Sequence, residues 1–141
     1  MSVSVSIIVP CYNVAAYLDQ CMESLTGQSM EDIEIICVND GSSDRTAEIL
    51  REWRNRDRRV RIIDQKNSGV SAARNSGMAA AAGTYIGFVD PDDMVERNMF
   101  QRLVTAAAEK EADVAVCGYH EFCDCGDMDM SERGWSPSAG F

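Results

Sequence analysis

Short apolar runs alternate with segments of helical period from the first residues of the chain, and this alternation restricts the fold more than any other feature. Residues 3–9 are rich in β-branched side chains and stop at Pro10. Residues 33–38, 60–63, 84–89 and 113–119 repeat the pattern at lengths that suit buried strands. Between the first two runs, residues 14–25 place Leu18, Cys21, Met22 and Leu25 on one helical face, with Asn13 positioned as an N-cap. Residues 44–56 carry Ala47, Leu50 and Trp53 or Arg54 at helical spacing, with Ser43 or Asp44 to cap them. Residues 70–82 form a helix of small side chains, including Ala73, Gly77, Ala80 and Ala81, that can pack close to a sheet and stop at Gly83. Residues 96–111 carry Phe100, Leu103, Val104 and Ala107 on one stripe. Near-continuous apolar strands separated by amphipathic helices predict an α/β fold, a three-layer α/β/α arrangement around a mostly parallel, Rossmann-like sheet.

In an open parallel sheet, ligands bind beyond the carboxyl ends of the strands. Each predicted strand end is followed at once by polar or turn-forming residues: Pro10, Cys11, Tyr12 and Asn13; Asn39, Asp40 and Gly41; Lys66, Asn67 and Ser68, leading on to Arg74; and Asp90, Pro91, Asp92 and Asp93. The fold would gather these distant segments on one edge. Tyr12 is suited to stacking on a base, or to partial burial. Asp40 can accept from a base N–H or a ribose hydroxyl, or simply begin a turn. Lys66 and Arg74 can face phosphate, or stand as solvated surface charges.

The acidic run is the most informative of these ends. Three carboxylates within four residues repel one another when ionised, and a divalent cation relieves the conflict. Oxygen ligands with no His or Cys beside them suit Mg²⁺ or Mn²⁺ rather than zinc. The same residues also suit a turn with Asp93 capping the next helix, and taken alone the run does not choose between the two.

Composition limits the partners. A formal charge of −10 argues against nucleic acid, which requires a basic field. Handling an anionic diphosphate would therefore need local positive charge. Arg51, Arg54, Arg56, Arg58, Arg59 and Arg61 form a basic cluster, read either as a solvated helix end or as a peripheral contact with an anionic membrane surface. No apolar stretch approaches the roughly 20 residues that span a bilayer, and no secretory leader is evident, which leads to the expectation of a cytoplasmic chain. The cysteines show no zinc-site spacing; Cys37 and Cys117 fall inside apolar runs and read as core residues. Neither GxGxxG nor a P-loop occurs.

Taken together, the segments 5–13, 38–46, 67–77 and 87–93 resemble the inverting family 2 glycosyltransferases of the GT-A fold, and the likeness extends over about residues 3–120. The resemblance implies that residues 1–120 bind a nucleotide sugar, a UDP-sugar above all. Pro10, Tyr12 and Asn13 would lie by the nucleotide, and Asp40 by a uracil-like base. Lys66, Asn67 and Arg74 would border the donor, and Asp90, Pro91 and Asp92 match the family's DxD element. Asp90 would contact ribose, while Asp92, with help from Asp93, would hold Mn²⁺ or Mg²⁺. The family's acceptors imply a glycan or a lipid-linked hydroxyl, as in cell-envelope polysaccharide synthesis. The family's general base comes from a later segment. No catalytic base is identified among these 141 residues, so the resemblance places it beyond Phe141. Residues 121–141, acidic and Gly-rich, read as the start of an acceptor-side region that continues past Phe141. A non-catalytic nucleotide-binding module and a nucleotidyltransferase are the alternatives that the residues leave open.

Overall fold

The structure is a computed structural model and describes residues 2–121. Its strands are β1 (Val5–Cys11), β2 (Ile33–Asp40), β3 (Val60–Gln65) and β4 (Tyr85–Phe88). The helices are α1 (Leu18–Thr26), α2 (Thr46–Arg56), α3 (Val70–Ala80) and α4 (Met99–Lys110). The strands form one sheet of order β3-β2-β1-β4, and every pair is parallel. The predicted α/β class and parallel sheet are therefore present. The chain steps outward from β1 to β3, then α3 carries it back across the sheet to β4 on the other side of β1.

β1 and β2 are buried along their whole length because both faces are covered. On one face Ile7, Val9, Ile35 and Cys37 pack with Leu18, Met22, Leu25, Leu50 and Phe100 from the helices. On the other, Ile36 and Val38 pack against Ala73 of α3. The small residues of α3 have the effect their size predicts. A Cβ on Gly77 would sit 2.5 Å from Cγ2 of Ile8, so only glycine lets the helix lie this close.

Several boundaries and one element differ from the sequence-based expectation. Gly83 does not end α3; the helix stops at Ala80, with Ala81 extended at φ −68°. Gly83 is instead pressed against β1, where a Cβ would come within 2.5 Å of the Ser6 amide nitrogen. Residues 113–119 do not form a strand. A strand needs a ladder partner and cover for its side chains, and this segment has neither among the described residues. Val114 is 77% exposed, Val116 66% and Tyr119 78%, and Cys117 is exposed with them rather than in the core. Cys37 is buried as expected. The stretch from 122 to Phe141, which holds most of the acidic Gly-rich tail, lies outside the described residues. The expectation that an acceptor-side region begins there and runs past Phe141 falls outside them as well.

At the amino-terminal edge of the sheet, a buried polar latch holds the α3–β4 connection. Glu34 accepts from the Ser6 hydroxyl at 2.6 Å, the Ala82 amide at 2.7 Å and Arg61 at 2.6 Å, while Ser6 accepts from the Gly83 amide at 2.8 Å. Burial alone would raise the Glu34 carboxyl, but the bonds from Ser6, Ala82 and Arg61 outweigh it and hold the group below its ordinary value of 4.5. A carboxyl depressed by folding stabilises fully above its unfolded value, and the contribution is lost as pH falls through the folded one. Glu34→Gln should therefore destabilise by about 1–3 kcal/mol at neutral pH. Its deficit against the parent should shrink below about pH 4. Urea unfolding midpoints measured at both pH values check this.

Candidate functional site

Because all the strands run the same way, their carboxyl ends share one edge, and the loops there enclose a cavity of about 400 Å³. Pro10, Cys11, Tyr12 and Val14 line it from the end of β1, Asp40 from β2, Asn67, Gly69, Val70 and Ala73 from the start of α3, and Pro91 from beyond β4. The walls are mostly apolar. Tyr12 is 51% exposed where it lines the cavity.

Asp40 is buried at 3% exposure, and its carboxylate is heavily engaged. Oδ1 accepts from Gln65 Nε2 at 2.7 Å and from the Ser68 amide at 2.9 Å; Oδ2 accepts from the Gly69 amide at 2.9 Å. Burial favours the neutral form, but these donors prevail and keep the carboxyl below its ordinary value. With three acceptor positions filled, about one of a carboxylate's four lone-pair sites is left over, on Oδ2. Asp40 thus acts first as the anchor of the β3–α3 loop. That loop bends sharply: Gly69 has φ 90°, and Gly41, at φ 74°, lies so near that a Cβ would be 2.7 Å from the Asn67 nitrogen.

Asn13 is not the cap of α1. Its side-chain oxygen accepts from the Ser43 amide at 2.8 Å and the Asp44 amide at 3.3 Å, so it faces the β2–α2 loop and not the helix that follows it. Residues 14–17 form a turn before α1 begins at Leu18. Asp44 does serve the start of α2, accepting from the Thr46 amide at 2.9 Å.

On the opposite rim, Arg74 from α3 donates to Asp90 Oδ1 at 3.0 Å, linking the helix to the acidic run. Its Nε is buried and unpartnered. The amide of Asp93 donates to the Asp90 carbonyl at 3.0 Å, so the run is a turn that brings its carboxylates together. Burial, then the charges of Asp92 and Asp90, raises the Asp93 carboxyl above its ordinary value. The run forms a turn, as one of the two readings expects, but Asp93 does not cap the next helix, because α4 begins only at Met99 after Asn98; the like-charge conflict that a cation would relieve is present beside the turn. The described residues hold no ready-made cluster of three or more ligating side chains. Two carboxylates fit Mg²⁺ or Mn²⁺ that takes its other ligands from substrate oxygens and water.

Of the residues expected at the site, Pro10, Tyr12, Asp40 and Asn67 line the cavity. Arg74 and Asp90 meet at the rim, Asp92 and Asp93 are exposed just past Pro91, and Lys66 is exposed one residue before Asn67. Ser68, expected among the polar strand ends, and Gly69 beside it serve through their amides, while Gln65 and Thr46 shape the site without having been singled out; the signal in the sequence is their position at the junctions of strand, loop and helix. The amino end of α3 opens on the cavity with no side-chain cap and no acidic residue in its first turn. Half of the basic cluster is engaged elsewhere: Arg56 pairs with Glu52, Arg59 with Asp57 and Arg61 with Glu34. Among the described residues no helix is long and apolar enough to cross a membrane.

A model of the family described as "Glycosyl transferase family 2" matches residues 6–138. The chain therefore belongs to glycosyl transferase family 2. It is 52% identical over 117 residues to the uncharacterized glycosyltransferase EpsJ of Bacillus subtilis, covering 83% of this chain and 34% of that protein. It is 44% identical over 112 residues to the uncharacterized glycosyltransferase YibD of Escherichia coli, covering 79% and 33%. The chain thus spans about a third of the length of these relatives. Among solved structures, Staphylococcus aureus TarS 1–349 in complex with UDP-GlcNAc is similar with a TM-score of 0.73 at 28% identity, over 77% of this chain and 32% of that one. The mannosyltransferase PcManGT of Pyrobaculum calidifontis, solved with GDP-Man and Mn²⁺, shares the fold with a TM-score of 0.71 at 22% identity, over 77% and 33%.

Asp40→Ala should take the carboxylate acceptor from the Ser68 and Gly69 amides, leaving water as their partner, at a cost of about 1–3 kcal/mol in all. Hydrogen exchange at these two amides should accelerate well beyond that at the core of β2. Unchanged protection would mean that the carboxylate does not anchor the loop.

Proposed function

We propose that this chain is the donor-binding part of a glycosyltransferase, and that its cavity holds a nucleoside diphosphate sugar, a UDP-sugar first. The observation that carries this reading is the cavity itself, with a half-exposed aromatic ring, a buried carboxylate and an acidic turn brought together from separate strand ends. The similarity to TarS, solved with UDP-GlcNAc, supports it.

In this reading Tyr12, with Pro10 beside it, packs on the base. Asp40 offers its unfilled Oδ2 position to a ring N–H, a donor that uracil has. Asn67 borders the ribose. The α3 amino end and Arg74 provide the positive field for the diphosphate that an acidic chain otherwise lacks, and Lys66 adds to it at the loop. Asp90 contacts ribose once Arg74 turns toward phosphate. Asp92, assisted by Asp93, would hold Mn²⁺ or Mg²⁺; when bound, such an ion neutralises charge on the departing diphosphate.

The reaction proposed is one displacement with inversion. The acceptor oxygen forms its bond to the anomeric carbon as the bond from that carbon to the diphosphate breaks. The hydroxyl proton passes to a carboxylate base. We assign that base, and the site for a glycan or lipid-linked acceptor, to a portion beyond Phe141, corresponding to what the longer relatives have outside the matched region. A cytoplasmic location, with peripheral contact at the inner face of the membrane through Arg51, Arg54 and Arg58, belongs to the same proposal.

Calorimetry tests donor binding. UDP should bind in the presence of Mn²⁺, and Asp92→Asn should weaken it by at least about tenfold, on the order of 1.4 kcal/mol. No nucleotide binding with any divalent metal would sink the proposal. The raised Asp93 carboxyl adds a pH dependence: metal-supported affinity should fall as pH drops through a value above the ordinary 3.8. A longer chain that also carries the following region should transfer sugar. If it binds donor and never turns it over, the protein is a binding module instead.

A further inference from the structure

Three consecutive backbone amides after β1 donate to side chains of the β2–α2 loop and of the first residue of α2, some thirty residues on. The Asn13 amide donates to Ser42 Oγ at 3.1 Å, the Val14 amide to Thr46 Oγ1 at 3.0 Å and the Ala15 amide to Asp44 Oδ2 at 3.1 Å. The loop answers in kind, since the amides of Ser43 and Asp44 donate to Asn13 Oδ1. Ser42 is held in turn, its amide donating to Asn39 Oδ1 at 3.2 Å. Thr46, fully buried, fixes this set to the first turn of α2. Asn13 itself sits at φ 51°, a left-handed conformation that asparagine, aspartate and glycine tolerate and most residues do not.

The clasp closes directly behind Tyr12. The amide of the peptide bond that follows Tyr12 donates to Ser42, and the next two amides are tied to Thr46 and Asp44. Yet the Tyr12 ring projects into the cavity from this fixed backbone, half exposed. An exposed ring on a mobile loop would have to be ordered by its ligand; here the backbone is ordered beforehand.

We propose that Asn13 is a positioning residue for the base platform. It touches no ligand; it locks the β1 loop to the β2–α2 loop, and so fixes the direction of the Tyr12 ring. This rests on the nucleotide reading of the cavity, and it replaces the direct contact with nucleotide that the family resemblance implies for Asn13.

The test uses the whole chain and two substitutions that keep the left-handed backbone. Asn13→Gly removes the oxygen, and Asn13→Asp retains an acceptor there. With Mn²⁺ present, Asn13→Gly should weaken UDP binding about tenfold, while Asn13→Asp stays within about twofold of the parent. In a Tyr12→Ala background, the same Gly substitution should change the affinity by less than about twofold, because the ring through which it acts is gone. An equal loss in both backgrounds would overturn the proposal, as would no loss in the parent. A second measurement needs no nucleotide. With 3-fluorotyrosine incorporated, the Tyr12 fluorine resonance should shift and broaden in Asn13→Gly and be restored in Asn13→Asp, and the Ser43 and Asp44 amides should exchange faster in Asn13→Gly. Unchanged resonance and exchange would also overturn it. Should the parent bind no nucleotide at all, the nucleotide reading fails by itself, and the fluorine and exchange data still decide whether the clasp orients Tyr12.

Discussion

The edge of this sheet is held in shape by side-chain oxygen given to backbone nitrogen. Parallel strands bring their loops to one side, but nothing in the sheet ladder fixes the loops relative to one another. Asp40 does so between the β2 and β3 ends, and Asn13, Asp44 and Thr46 do so between β1 and β2. Each bond gives a loop amide a fixed partner from another strand end, so the stitching sets the geometry of the edge. The residues that make the family's motifs readable in the sequence are, to a large extent, this framework. In the structure, Asp40 and Asn13 are committed first to holding neighbouring loops in place.

That distinction explains what the sequence could and could not convey. The parallel sheet was legible because continuous apolar runs such as 33–38 need cover on both faces, and only a few architectures supply it. The packing of α3 was legible because Gly77 and Ala73 have no other evident reason to share a face. Asn13 was misjudged as a helix cap because capping is a local rule, whereas its actual partners lie thirty residues away. Residues 113–119 have the composition of a strand, yet composition says nothing about whether an edge is available to pair with. Gly83 marks a close approach and not a helix end, and the two look alike until the neighbouring strand is in place.

The acidic turn and Arg74 divide the electrostatic task. Asp90 is paired with a guanidinium, while burial and like charges lift Asp93. An ion at Asp92 and Asp93 would relieve a conflict already present, and an anionic donor would give Arg74 a second partner. The net charge of −10 does not describe this edge alone, since Arg74 and the amino end of α3 stand beside the cavity. The thiols contribute little to this balance. Burial, then Cys11 and the acidic run, pushes Cys21 up to about 12, so it stays neutral beside the Asp90 carbonyl.

The Glu34 latch sits at the other end of the same strands, as far from the cavity as the sheet allows. It ties β1, β2, β3 and the α3–β4 connection together without any loop from the carboxyl edge taking part. The strands are thereby aligned at one end of the scaffold by bonds that share no residue with those that set the loops at the other. A substitution that loosens a loop at the cavity end therefore leaves the bonds that align the strands at the far end untouched, so the two ends of the scaffold respond to change separately.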